Sequence, residues 1–209
     1  MSRMETTKGR LTHRQRQALE TQRLIVDASR DLFLREGYGA TSIEAVAEQA
    51  GVAVSTVYAL FKNKRGLLRA IREAWHLSSG QRDIYQDALA EDNPARRLDL
   101  AAHATRRQWE TGAAMLAIYR SAAAVDAAAA AELAQSRAGR RANLGRFVAT
   151  LEPSLRPDLS LDQAMAIFQA LTLPEIYEEL VEQGGWAAAA YEAWLAGSLK
   201  WQLLPRYTP

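Results

Sequence analysis

Apolar residues in the first third of the chain recur at helical rather than strand spacing. Leu24, Ile25, Ala28, Leu32 and Phe33 fall at i, i+1, i+4, i+8 and i+9, which predicts a helix ended by Gly37. The string Thr41-Ser42-Ile43-Glu44 fits a capping box with Thr41 at the N-cap and Glu44 reaching back, Ser42 being the alternative cap. Ile43, Val46, Ala47 and Ala50 then mark a short helix, closed by Gly51. A second short apolar set follows at once, Val54, Val57, Leu60 and Phe61, facing the first two helices. Two short helices joined by a glycine-containing turn form a helix-turn-helix. Asn63 is placed to cap a longer helix from near Lys64, with Leu67, Leu68, Ile71 and Trp75 on its inner face.

Beyond Ser78 the pattern predicts a helical bundle, with breaks at Asp92-Asn93-Pro94, near Gly112, from Pro153 to Ser160, and at Gly184-Gly185. The alanine-rich stretch Ala122–Ala131 reads as continuous helix, alanine being the best helix former. Pro174 falls inside a helical pattern from about Asp162 to Gln183 and is expected to kink it. Trp186 to Leu204 reads as an amphipathic terminal helix stopped by Pro205. The expected fold is all-α: an N-terminal three-helix head with a helix-turn-helix, then a C-terminal helical bundle, about nine helices in total.

Composition narrows the field. The 209 residues are 48% hydrophobic and 24% charged, ordinary globular usage, and cysteine is absent, which excludes disulfides and thiolate metal sites. Met1 to Gln22 has no apolar core of a secretory signal, and Asp126 and Glu132 interrupt the longest small-apolar run, so a soluble cytoplasmic protein with no membrane partner is expected. The net charge of +2 is uneven: residues 1–75 hold 13 Lys/Arg against 8 Asp/Glu, residues 76–209 hold 13 against 16. The basic N-terminal part suits a polyanion. His13, His76 and His103 lack ligand spacing, Glu175, Glu178, Glu179 and Glu182 form a stripe typical of a solvated helix face, and no phosphate loop or nucleophile elbow occurs. No cofactor, metal site or catalysis is expected.

On the second short helix, Ser55, Tyr58, Ala59 and Lys62 project away from the apolar face, with Thr56 on the flank. A recognition helix reads base edges in the major groove with such a face. Ser55 and Thr56 suit bases or phosphates, Tyr58 reaches a phosphate, and Lys62 and Lys64 add positive charge at the groove edge. Thr41, Ser42 and the helix N–H groups beside them suit a further phosphate.

The string Leu32-Phe33, Gly37-Tyr38, Thr41-Ser42-Ile43, Ala47, Ala50-Gly51-Val52, Thr56-Val57-Tyr58, Phe61-Lys62, Lys64 and Leu67-Leu68 resembles the tetracycline-repressor (TetR) family. The resemblance implies a three-helix DNA-binding head, a C-terminal domain of about six helices, dimerisation through the last two helices, and repression relieved by a ligand. It implies backbone contacts from Thr41 or Ser42, Tyr58 and Lys64, and base reading from Val54, Ser55, Thr56 and Ala59. Two departures stand out: Ala53 replaces a common capping serine, and Ala59 and Val54 offer only apolar contact. From Leu171 to Tyr177 and on through Gly184-Gly185-Trp186 to Leu195, the chain resembles the final two helices of one large bacterial subgroup of that family.

The expected organisation is a flexible basic arm over 1–20 (Arg3, Lys8, Arg10, Arg14, Arg16), a DNA-binding domain over 21–78 with its motif at about 42–61, and a ligand-sensing, dimerising bundle over 79–209. Trp109, Met115, Tyr119, Phe168 and Tyr177 are the expected lining of a ligand pocket, with His103 and Glu175 as polar contacts. Tyr191, Trp194, Leu195 and Leu199 are the expected dimer face. The partners expected are double-stranded operator DNA, a small-molecule effector and a second copy of the chain. A constitutive DNA binder whose bundle only dimerises is the alternative.

Overall fold

The computed structural model describes residues 12–205, whose regular elements are all helices, and divides into two compact units, Met1–Ile71 and Arg72–Pro209. The head contains α1 (His13–Glu36), α2 (Ile43–Ala50), α3 (Val54–Phe61) and the first half of α4 (Lys64–Ser78). Its buried apolar residues include Ile25, Leu32, Phe33, Val46, Val57, Phe61, Leu67 and Leu68. Leu24 and Leu60, expected to face inward, are both 40% exposed and leave the stripe to their neighbours.

Helix α1 begins inside the segment expected as an arm. Thr12 caps it: its hydroxyl accepts from the Gln15 N–H at 3.2 Å, while the Gln15 side-chain Oε1 accepts from the Thr12 N–H at 2.8 Å. Thr12-His13-Arg14-Gln15 is thus a capping box, a signal legible in the sequence. Arg14 and Arg16 are exposed on this helix; Arg3, Lys8 and Arg10 lie outside the described residues. The cap of α2 is Ser42, whose Oγ accepts from the Ala45 N–H at 3.1 Å. Ala45 therefore occupies the third helical position and Glu44 completes no box. Thr41 is buried instead, its hydroxyl donating to the Gly37 carbonyl at 2.9 Å. Gly51 ends α2 at φ 67, ψ 35, the left-handed conformation glycine adopts without steric cost.

The body comprises the rest of α4, then α5 (Gln81–Ala90), α6 (Pro94–Ala123), α7 (Ala127–Ala149), a 3-10 turn (Glu152–Ser154), α8 (Leu161–Leu171), α9 (Pro174–Tyr177), wider π-helical turns over Glu178–Gln183, and α10 (Ala188–Leu203). Helix α6 is the spine, packing on α5, α7 and α10, while α8 packs on α7 and α10. One contiguous core runs through it, from Ala88, Leu98 and Trp109 through Phe147 and Phe168 to Leu199.

Three boundaries differ from expectation, each for a local reason. Gly112 does not break α6: a Cβ there would lie 2.9 Å from the Trp75 ring, so glycine makes room for the indole inside a continuous helix. The alanine run is broken at Asp126, whose carboxylate accepts from the N–H groups of Ala128 and Ala129 and so starts a new helix. Pro174 ends a helix rather than kinking it. Leu173, held extended at ψ 146 by the following ring, separates α8 from α9, and Pro174 takes the first position of α9. That extra piece makes ten α-helices among the described residues instead of about nine.

Candidate functional site

Helix α3 is seated by Val57 and Phe61, 1% and 8% exposed. The opposite side presents Ser55, Tyr58, Ala59 and Lys62, all exposed, with Val54 and Thr56 half-buried on the flanks. Tyr58 is 47% exposed. The structure thus brings the expected reading residues onto one accessible face. Ala53 caps α3 with no side-chain bond, leaving its first N–H groups uncovered. Ser42 is exposed; while its Oγ accepts from Ala45, its O–H remains free to donate outward from the start of α2.

Thr41 and Lys64 are placed differently from the rest of the expected set. The Lys64 ammonium donates to the carbonyl oxygens of Tyr38 at 2.7 Å, Thr41 at 2.9 Å and Gly39 at 3.1 Å, and stands 4.6 Å from the Tyr38 ring centroid. An ammonium has three N–H donors, and here all three serve the loop before α2. Both residues brace the loop before α2 from within. The corner between α3 and α4 is equally constrained. Lys62 sits at φ 66, ψ −42, the only non-glycine with positive φ among the described residues. A Cβ on Gly66 would fall 1.8 Å from the Phe61 carbonyl oxygen, so α4 begins in direct contact with the end of α3.

In the body, Trp109, Phe168 and Tyr177 are brought together, but as parts of the contiguous core. Tyr119 is buried outside that cluster, beneath the Arg72 guanidinium at 5.7 Å, and Met115 is half-buried. His103 and Glu175 do not point toward them. His103 Nδ1 lies 3.0 Å from the Glu192 carboxylate, which Arg106 also engages, and Glu175 accepts from Arg120 at 2.7 Å. The expected pocket lining is therefore core plus surface ion pairs.

A polar centre that sequence reasoning missed lies beside Trp109. Arg140 of α7 stacks 5.2 Å from the Trp109 ring and donates through Nη2 to the Thr172 carbonyl at 2.5 Å and hydroxyl at 3.1 Å. Trp109 Nε1 donates to the same carbonyl at 3.2 Å, an acceptor released from the helix ladder by the break before Pro174. The sequence carries no clear signal for it, because Ser136 and Arg137 fill the turn between Leu133 and Arg140.

Three of the four residues expected at a dimer face, Tyr191, Leu195 and Leu199, are fully buried in the chain's own core. Only Trp194 stays half-exposed, its ring edge-on to Trp186 at 6.3 Å. The outer face of α10 is a different stripe, Ala193, Trp194, Gly197, Ser198 and Trp201, which with Leu171 lines an open groove of about 560 Å³. No helix among the described residues is long and apolar enough to cross a membrane.

Residues 25–71 match the family of bacterial regulatory proteins, tetR family. The chain is 35% identical over 75 residues to the uncharacterized HTH-type transcriptional regulator YvkB of Bacillus subtilis (strain 168), a match that covers 33% of this chain and 40% of that protein. The chain thus spans about two fifths of that curated relative. Over its whole length the fold resembles that of NalD, the secondary repressor of the MexAB-OprM multidrug efflux pump in Pseudomonas aeruginosa, with a TM-score of 0.71, 19% identity, and coverage of 92% of this chain and 100% of that one. A Saccharomonospora viridis protein solved in complex with choline is similar at a TM-score of 0.67 and 16% identity, covering 90% of this chain and 100% of that one. The matched family and NalD are regulators rather than enzymes. Residues 25–71 are therefore similar to the tetR family of bacterial regulatory proteins, and the chain has the fold of solved regulators such as NalD.

Proposed function

We propose that the chain is a cytoplasmic repressor that binds a palindromic operator as a dimer and is released by a small molecule held in the body. The observation that supports this most is the α3 face, where Ser55, Thr56, Tyr58 and Lys62 surround a seat made by Val57 and Phe61. Ser55 and Thr56 read base edges, Val54 and Ala59 offer apolar contact of the kind a thymine methyl takes, and Tyr58, Lys62 and Ser42 hold phosphates. Thr41 and Lys64 act through the loop they brace.

One short recognition helix contacts few base pairs, so two copies reading half-sites about 34–36 Å apart, or a multiple, are the working unit. The outer α10 stripe, small residues flanked by tryptophans, is the surface proposed for the second copy, replacing the buried stripe expected from sequence. Release is proposed to work through α4, whose placement sets the spacing of the paired α3 helices. It requires the effector to prefer one spacing over the other.

Operator selection followed by fluorescence anisotropy at several salt concentrations tests the reading. Affinity for the selected duplex is expected to fall steeply as salt rises. If no duplex binds in a salt-dependent way, the proposal fails. The close packing of Trp109, Phe168 and Tyr177 favours a second reading, a constitutive binder whose body only dimerises. A metabolite that lowers operator affinity decides against it.

A further inference from the structure

The body holds a half-buried cation, Arg140, without an anion. No carboxylate lies within ion-pair distance of Arg140 among the described residues, and Glu175, whose charge Arg140 senses, gives its carboxylate to Arg120 instead. The Arg140 Nε is buried with no hydrogen-bond partner. Two further buried groups are orphaned with it, the hydroxyls of Tyr85 and Tyr191. Thr105 stands beside the Tyr85 hydroxyl, but no atom reaches bonding geometry. Tyr191 is 0% exposed.

These groups, on α5, α7 and α10, lie near enough for the Arg140 charge to act on both hydroxyls. Burial pushes both tyrosine hydroxyls above their ordinary pKa, and the guanidinium charge pulls each back. Both therefore remain protonated and able to donate. Buried polar groups are almost always satisfied, and a buried charge is normally paired. Three unmet donors around one positive charge define what is missing: an anion with two acceptor oxygens. The surroundings define the rest of it. Phe147 stacks edge-on to Tyr85 at 5.6 Å and lies 5.6 Å from Phe168, and Trp109 closes the Arg140 side.

We propose that the body binds a small organic monocarboxylate, its carboxylate held by Arg140, Tyr85 and Tyr191 and its apolar remainder among Trp109, Phe147 and Phe168. This rests on the ligand-responsive reading above and supplies its chemistry. A quaternary ammonium such as choline, bound by the Saccharomonospora viridis neighbour, is the wrong charge for this centre. Entry requires the packed side chains to part, and the α8–α9 break at Thr172, which already holds Arg140 and Trp109, is where they are proposed to do so.

Titration calorimetry on the full chain, with benzoate and octanoate against benzamide, octanol and choline, tests the proposal. At least one carboxylate is expected to bind, and its neutral counterpart and choline are not. Arg140→Gln is expected to abolish binding. Tyr191→Phe removes only an orphaned hydroxyl, so it is expected to keep the parent melting temperature and weaken the carboxylate about tenfold, as loss of one hydrogen bond to a charge implies. Binding of benzamide as tight as benzoate, silence of both carboxylates, or a Tyr191→Phe protein with parent affinity overturns the site. Operator release is read separately. A carboxylate that binds through Arg140 but leaves DNA affinity unchanged supports this site and removes the release mechanism; a carboxylate that releases DNA from the Arg140→Gln protein as from the parent keeps release and overturns the site.

Discussion

The Lys64 ammonium donates to the Tyr38 carbonyl at 2.7 Å and covers the ring of the same residue at 4.6 Å. A lysine just after the proposed recognition helix invites a phosphate role, yet its donors are spent on the protein. Lys64→Met is therefore expected to destabilise the head by about 2 kcal/mol, the scale of hydrogen bonds to a charged group. Urea denaturation checks it. A variant that unfolds like the parent but binds DNA poorly would make Lys64 a phosphate ligand after all.

Tyr58 gives the opposite expectation. Its hydroxyl has no hydrogen-bond partner among the described residues and the residue is 47% exposed, so Tyr58→Phe should leave the melting temperature unchanged. Operator affinity should fall by about 1 kcal/mol, one hydrogen bond, nearly uniformly across operator sequences if the contact is to phosphate. Sequence-dependent losses in a binding series would make it a base contact.

At the start of the reading helix, Ala53 leaves the cap empty. Ala53→Ser is expected to add about 1 kcal/mol of stability by accepting from a first-turn N–H. A thermal melt of the variant reads the gain, and an unchanged or lower midpoint would show that the loop prevents capping.

Within the body, Gly112→Ala places a methyl 2.9 Å from the Trp75 ring. The indole must move, and overpacking of this kind costs about 1–3 kcal/mol. Because Trp75 Nε1 donates to Thr111 at 3.1 Å, a changed tryptophan emission should accompany the lower melting midpoint.

Much of the head was legible because its signals are short-range and agree with one another: periodic apolar residues, Gly51 where a left-handed end is needed, Asn63 as a cap. The body was harder where two local rules competed. Alanine propensity argued for one helix through 122–131, and a single capping carboxylate at Asp126 outweighed it. Helix α10 carries large apolar groups on both faces, Tyr191, Leu195 and Leu199 on one and Trp194 and Trp201 on the other, so periodicity alone does not say which turns inward. Arg140 was missed because an arginine between Gly139 and Arg141 reads as solvated surface. Only tertiary packing reveals its stripe.

The tight corner at Lys62 and Gly66 has a mechanical meaning. With the Phe61 carbonyl against the opening turn of α4, no side chain fits between them, and any residue larger than glycine at position 66 would force the end of α3 and the start of α4 apart. The spacing between the α3 face and α4 is thus set by a single hydrogen atom at position 66, and Gly66→Ala is expected to displace Ser55 and Tyr58 together with the rest of α3.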